Sequence, residues 1–220
     1  MNNSIAIDGP AGAGKSTVAK LLAKQMGIHY LNTGAMYRAL ALLATRNGIA
    51  FSDEQGVGAL LVNAVITVFY QGDEQHTVLN GEDVTELLLS EQISMGASTV
   101  SKLPCVRDTM AALQRKIAHT DQFVLEGRDI GTNVLPDTPY KFFVTASSSE
   151  RAKRRQLQLE SLGQSVDYNA ILKDLEIRDK QDTERSYMPL KMADDAVLID
   201  TTTLSIAEAV QKIRAIVEGR

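Results

Sequence analysis

The chain has 220 residues, 44% of them hydrophobic and 23% charged, which suits one globular core with an elaboration and excludes disorder, collagen-like repeats and a disulfide scaffold. Its 23 basic and 27 acidic residues leave a formal charge of −4, which disfavours a nucleic-acid-binding role, so an anionic ligand has to meet locally gathered positive charge. Cys105 is the single cysteine, so an intrachain disulfide and a thiolate metal site are both excluded, and His29, His76 and His119 have no metal-binding spacing.

Ser4 to Asp8 reads as a short strand, because Ile5, Ala6 and Ile7 are continuously apolar and glycines follow at once. Met1 to Ser4 offers no basic leader and no window reaches 18 apolar residues, so the expectation is a cytoplasmic protein without a membrane span. Residues 9–14 are a glycine-rich loop. Val18, Leu21, Leu22 and Met26 have helical spacing, which predicts a helix from Lys15 to Met26, stopped by Gly27. Ile28 to Leu31 is a second strand and Ala35 to Asn47 a second helix. Ser52 and Gln55 have capping-box spacing and open a third helix.

The pattern then becomes β-branched and aromatic over Val65 to Tyr70, and Thr77 to Leu79 follows. Asn80-Gly81 signals a type I′ hairpin, with Val84-Thr85 as a third short strand. Hairpins are foreign to a parallel core, so this is a small antiparallel sheet inserted between helices. Helices resume from Glu86 to His119 with a break near Pro104. Phe123 to Leu125 and Tyr140 to Thr145 are strands. Ser147 and Glu150 cap a polar helix from Arg151 to about Leu162, and Asp167 caps another from Tyr168 to about Asp182. Ala196 to Ile199 is the last strand, and Ser205 and Glu208 cap the final helix. Outside the insert, strands alternate with helices, which predicts an α/β fold with a parallel sheet covered on both faces.

Gly9-Pro10-Ala11-Gly12-Ala13-Gly14-Lys15-Ser16 fits the P-loop pattern G-x-x-x-x-G-K-[ST] at every fixed position. Glycines let backbone N–H groups curl around phosphate oxygens, and the following helix presents its positive dipole end. Lys15 is expected to reach the β- and γ-phosphates, and the Ser16 hydroxyl to ligate Mg²⁺. The expected ATP-binding residues are therefore Gly9, Pro10, Ala11, Gly12, Ala13, Gly14, Lys15, Ser16 and Thr17.

No Asn-Lys-x-Asp base-reading motif of a GTPase is present. Arginines stand out instead. Arg151, Arg154 and Arg155 share a helix face at i, i+3 and i+4, as do Arg178, Asp182 and Arg185 at i, i+4 and i+7. Arg128 and Asp129 directly follow a strand end, where α/β ligands sit. Transfer of a phosphoryl group between two anionic molecules needs such bidentate, permanently charged donors. These residues leave open a kinase of another small phosphate or alcohol, such as uridylate or dephospho-coenzyme A, and a slowly hydrolysing regulatory module.

The chain resembles the bacterial cytidylate kinases, a branch of the nucleoside monophosphate kinase family, over essentially its whole length. The resemblance rests on Ile7-Asp8-Gly9-Pro10 leading into the P-loop, Asn32-Thr33-Gly34-Ala35-Met36-Tyr37-Arg38, Glu126-Gly127-Arg128-Asp129-Ile130-Gly131-Thr132, Ser149 to Arg155, and Asp200 to Ile206. It implies a P-loop three-layer fold in one domain over 1–220, with a monophosphate-binding region over about 33–100 that contains the insert, and a helical lid over about 148–166. It also implies Mg-dependent transfer from ATP to CMP or dCMP in a monomer, with Lys15, Arg128 and Arg185 as catalytic residues. By the same resemblance Thr33, Arg38, Arg128 and Arg185 grip the CMP phosphate, and Ser98, Arg107 and Asp129 read cytosine. Arg178 and Asp182 hold the ribose, and Arg151, Arg154 and Arg155 lie on the lid. Many family members have Asp where this chain has Glu126, so the roles of Glu126 and Asp8 stay open.

Overall fold

The computed structural model describes residues 3–161, 163 and 165–219. The chain runs through β1 (Ile5–Asp8), α1 (Lys15–Met26), β2 (His29–Asn32), α2 (Thr33–Arg46) and α3 (Glu54–Leu61). The insert follows as β3 (Ile66–Gln71), β4 (Glu74–Leu79) and β5 (Glu82–Asp83). Next come a 3₁₀ turn (Thr85–Leu89), α4 (Glu91–Val100), α5 (Pro104–Ala118), β6 (Phe123–Glu126) and a π turn (Ile130–Val134). The chain closes with β7 (Lys141–Thr145), α6 (Ser148–Ser161), α7 (Tyr168–Glu184), β8 (Val197–Asp200) and α8 (Ile206–Val217). Leu162, the expected end of the polar helix, and Gln164 within the expected lid lie outside the described residues.

Five strands form the expected parallel sheet in the order β2-β6-β1-β7-β8. Successive side chains of β1 serve opposite faces. Ile5 and Ile7 pack with Val18 and Leu22 of α1 and with Val210 and Ile213 of α8. Ala6 packs on the other side with Leu31, Leu125, Ala111 and Ala118. Burial on both faces is the reason β1 and Phe123 to Leu125 of β6 read as unbroken apolar runs, whereas the edge strand β8 exposes Val197 and Leu198. A separate core under α2 to α5 joins Met36, Leu40, Val57, Leu79, Val100 and Met110, which places the insert over the second helical layer. Cys105 packs half-buried against it.

The insert is the expected antiparallel sheet. Asn80 and Gly81 both take positive φ, 51° and 88°, as a type I′ turn requires. The third strand is not Val84-Thr85 as expected but the two residues before it, Glu82–Asp83. There the Thr85 hydroxyl turns back to accept from the Thr77 N–H and to donate to Asp83 Oδ1, which ends the ladder. The third helix is capped by Asp53, whose Oδ1 accepts from Gly56 N–H at 2.9 Å, so the expected cap at Ser52 is one residue too early. At α6 only half of the expected capping box forms. Ser147 Oγ accepts from Glu150 N–H, while the Glu150 carboxylate is taken by Arg154. Ser205 and Glu208 make both bonds of theirs. Pro104 opens α5, as expected from the break. Among the described residues no helix is long and apolar enough to cross a membrane.

Candidate active site

The carboxyl ends of β1, β2 and β6 converge where the strand order reverses, the usual position for ligands in such sheets. Asp8 ends β1, and the loop Gly9–Gly14 then turns into α1. Gly9 has φ 145°, and a Cβ there would stand 1.9 Å from the Val144 carbonyl oxygen, so only glycine fits. Gly14 caps α1 in the left-handed region. Lys15, the first residue of α1, is buried and donates from Nζ to the Pro10 carbonyl at 2.7 Å. Burial, and then the Arg128 guanidinium, pull its pKa down to about 7, against the opposing pull of Glu126, Asp8 and Asp182.

Beside it, Ser16 Oγ donates to Glu126 Oε1 at 2.7 Å, and the Tyr30 hydroxyl donates to the same oxygen at 2.9 Å. Ser16 and Glu126 are thus a hydroxyl and a carboxylate side by side at the loop, the hard oxygen donors that suit Mg²⁺. Among the described residues no cluster of three metal-ligating side chains occurs. Asp8 has a different task. Its two oxygens accept from Ile130 N–H and Gly131 N–H, each at 2.7 Å, and so fix the π turn that follows Asp129. Burial pushes its pKa up to about 7.

A cleft of about 380 Å³ opens above the loop. Lys15, Arg38, Arg107, Arg128, Arg155, Arg178 and Arg185 line it, with Glu126, Asp129 and Asp182 as the facing carboxylates. A chain of net charge −4 thus carries an excess of positive charge here. Arg107 Nη2 meets Asp129 Oδ1 at 2.6 Å, and Arg128 Nε meets Asp182 Oδ2 at 2.8 Å. Arg185 lies 3.7 Å from both carboxylates. Arg38 Nε, Arg178 Nε and Arg185 Nη2 are buried without a hydrogen-bond partner among the described residues. Burial and then Arg128 bring Arg178 down to about 10, and burial also lowers Arg38 and Arg185. The cationic side chains are crowded, and an anion would relieve that.

Thr33, Arg38, Ser98, Arg107, Arg128, Asp129, Arg178, Asp182 and Arg185 all line this one cleft. Thr33 already donates its hydroxyl to the Glu126 carbonyl at 2.7 Å. Of the loop residues, Ala11, Gly12, Lys15 and Ser16 line the cleft, whereas Gly9, Pro10, Ala13, Gly14 and Thr17 do not. The three arginines read as one lid face separate. Arg155 reaches the cleft with Gln158. Arg151 is buried and donates to the Ala146 and Ala11 carbonyls and to Asp179. Arg154 donates to Glu150 and to Thr201. Neither lines the cleft, because these fixed acceptors draw both towards the helix base.

Tyr30, Tyr37 and Gln114 were not foreseen. Tyr30 fixes Glu126, and the Tyr37 ring lies 5.8 Å from the Arg107 guanidinium. Gln114 lies seven residues after Arg107 on α5, a spacing that could have shown it on the same face.

A family model described as Cytidylate kinase matches residues 5–219. The chain belongs to the cytidylate kinase family. A cytidylate kinase of Caldicellulosiruptor bescii is 45% identical over 210 residues, covering 96% of this chain and 93% of that one. A cytidylate kinase of a Geobacillus species is 47% identical over 219 residues, covering 100% and 98%. Among solved structures, an uncharacterised protein of Eubacterium ventriosum shares the fold, with a TM-score of 0.53 at 16% identity over the full length of both chains. As a cytidylate kinase family member the chain is a P-loop phosphotransferase.

Proposed function

We propose that the protein transfers the γ-phosphoryl group of ATP to CMP or dCMP, giving ADP and CDP or dCDP. The observation that carries this reading is a single cleft in which the P-loop lysine faces arginines whose buried N–H groups are in part without a hydrogen bond among the described residues. Lys15 and the loop N–H groups hold the triphosphate. Arg38, Arg128 and Arg185 take the acceptor phosphate, with Thr33 at its edge. Arg178 and Asp182 hold the ribose, and Arg107, Asp129 and Ser98 face the base. An Asp beside an Arg complements cytosine, whose amino group donates while N3 and O2 accept, and an Asp opposes the O4 acceptor of uracil.

Ser16 and Glu126 would hold Mg²⁺, which when bound offsets charge on the transferring phosphates. No strong general base is required, because the attacking phosphate oxygen is already anionic. Positioning and fixed positive charge carry the reaction. Residues 33–100 act as the monophosphate-binding region and 148–166 as the lid, with Arg155 as its cleft-facing cation. The protein works as a cytoplasmic monomer without nucleic-acid or membrane partners. The test is an ADP-release assay with ATP over CMP, dCMP, UMP, AMP and GMP. Release is expected with CMP and dCMP. Equal release without any acceptor would favour a simple hydrolase and overturn the reading.

A further inference from the structure

Gln114 has a buried amide donor without a hydrogen-bond partner among the described residues. It is 2% exposed, lines the cleft from α5, and its Nε2 makes no hydrogen bond among the described residues. The nearest candidate acceptor is the Tyr37 phenol oxygen, which the Gln114 amide influences as a nearby donor would, but no hydrogen-bond geometry joins Nε2 to an acceptor among the described residues. Folding discourages such groups, because a buried N–H without a partner forfeits its hydration. A ligand that supplies an acceptor explains the exception.

Its neighbourhood defines that acceptor. Gln114 stands two helical turns after Arg107, so both side chains leave the same face of α5. Arg107 has spent Nη2 on Asp129 and Nη1 on the Ser101 carbonyl, but its buried Nε is also unpaired. This wall therefore presents two free N–H donors beside one carboxylate. Cytosine presents two acceptors, O2 and N3, beside one donor, the N4 amino group. We infer that Gln114 is a base-reading residue, donating from Nε2 to a ring acceptor of the cytosine while Arg107 serves the other. This rests on the CMP-phosphorylating reading above and adds a specificity contact to it.

Gln114→Met tests the assignment in the full-length protein, because methionine keeps the length and shape and removes the donor. Three readouts separate base recognition from a structural role: the KM values for CMP and ATP, inhibition by ribose 5-phosphate, and the melting temperature without ligand. The expected result is a rise of about tenfold in the KM for CMP, the typical worth of one hydrogen bond. The KM for ATP and the inhibition constant of ribose 5-phosphate, which has no base, stay the same. The ligand-free melting temperature stays or rises, since an unsatisfied buried amide has gone. If Gln114→Met folds poorly, Gln114→Glu keeps the shape and replaces the donor by an acceptor, and the same loss confined to CMP is expected. An unchanged KM for CMP would overturn the inference, and so would an equal weakening of ribose 5-phosphate, which would mark Gln114 as a mere shaper of the cleft. Wild-type protein that releases no ADP with CMP would instead bring down the underlying reading, a result visible before any variant is made.

Discussion

Lys15 carries its charge where water scarcely reaches it. Burial and Arg128 leave its pKa at about 7, well below the ordinary lysine value of 10.5. The free protein therefore holds this ammonium only part-charged at neutral pH and largely neutral at pH 8. A triphosphate seated against Nζ favours the charged form and returns the pKa upward. Binding at pH 8 must then draw in a proton, close to one per site, because ATP is itself fully ionised there. Calorimetry of ATP binding in buffers of different ionisation enthalpy measures this uptake. In Lys15→Met the uptake should vanish and turnover should fall by roughly 10²–10³, the usual cost of one lost transition-state donor. Uptake that persists in the variant would place the titrating group elsewhere. The same depressed pKa has a stability consequence of definite sign. Between about pH 7 and 10.5 the unfolded chain binds the Lys15 proton and the folded one does not, so this group makes stability rise with pH across that window.

The insert shows how elements are joined by side chains that imitate backbone. β2 is the edge strand of the main sheet, and edges need cover. Gln75 of β4 supplies it: its Oε1 accepts from Asn32 N–H at 2.7 Å, and its Nε2 lies 3.5 Å from the Asn32 carbonyl oxygen. Tyr70 of β3 adds a hydroxyl bond to the Tyr30 carbonyl at 2.9 Å. Gln75→Ala should expose the end of β2, destabilise the protein by about 1–2 kcal/mol, and speed hydrogen exchange at the Asn32 amide. Urea melts and exchange rates read both, and an equally protected Asn32 amide would show that the dock is made elsewhere. The hairpins themselves were legible, since Asn80-Gly81 demands its turn and the β-branched run demands strands. The dock was not, because Gln75 and Asn32 are 43 residues apart and an isolated glutamine announces nothing. The π turn was hidden for the same reason: its N–H groups are answered by Asp8, more than 120 residues earlier. In the site, local spacing revealed the P-loop and the Arg178–Asp182 pair on α7, but not that Arg155 parts from Arg151 and Arg154, nor that Arg185 lies past the end of α7 in extended backbone rather than on its helical face. Tyr30 and Gln114 became visible only once distant strands and helices were brought together.

At the scale of the whole molecule, α6 carries two kinds of arginine that sequence spacing made look alike. Arg151 ties the helix base to the P-loop carbonyl of Ala11, to Ala146 and to Asp179 of α7, and Arg154 ties it to Thr201 after β8. These bonds anchor the first turns of α6 to the main sheet's loops. Arg155, one residue later, faces the cleft and, among the described residues, bonds only Gln158 of its own helix. If this segment closes over a triphosphate as the proposed lid, it pivots about that base, with Arg155 on the free side. Opposite consequences follow for the two residues. Arg151→Ala removes a buried cation and leaves Asp179 and two carbonyls short of a donor, so a loss of about 3–5 kcal/mol is expected. For a domain of this size that lowers the melting temperature by roughly 6–20 °C. Arg155→Ala breaks no bond between elements, so its melting temperature should stay within about 2 °C of wild type. Its turnover should nevertheless fall about 10- to 100-fold, because a charge that arrives with closure acts on the transition state more than on the resting complex. Thermal melts and ADP-release kinetics on both variants decide the matter. Equal destabilisation by the two substitutions would mean that the base and the free side of α6 are not mechanically distinct.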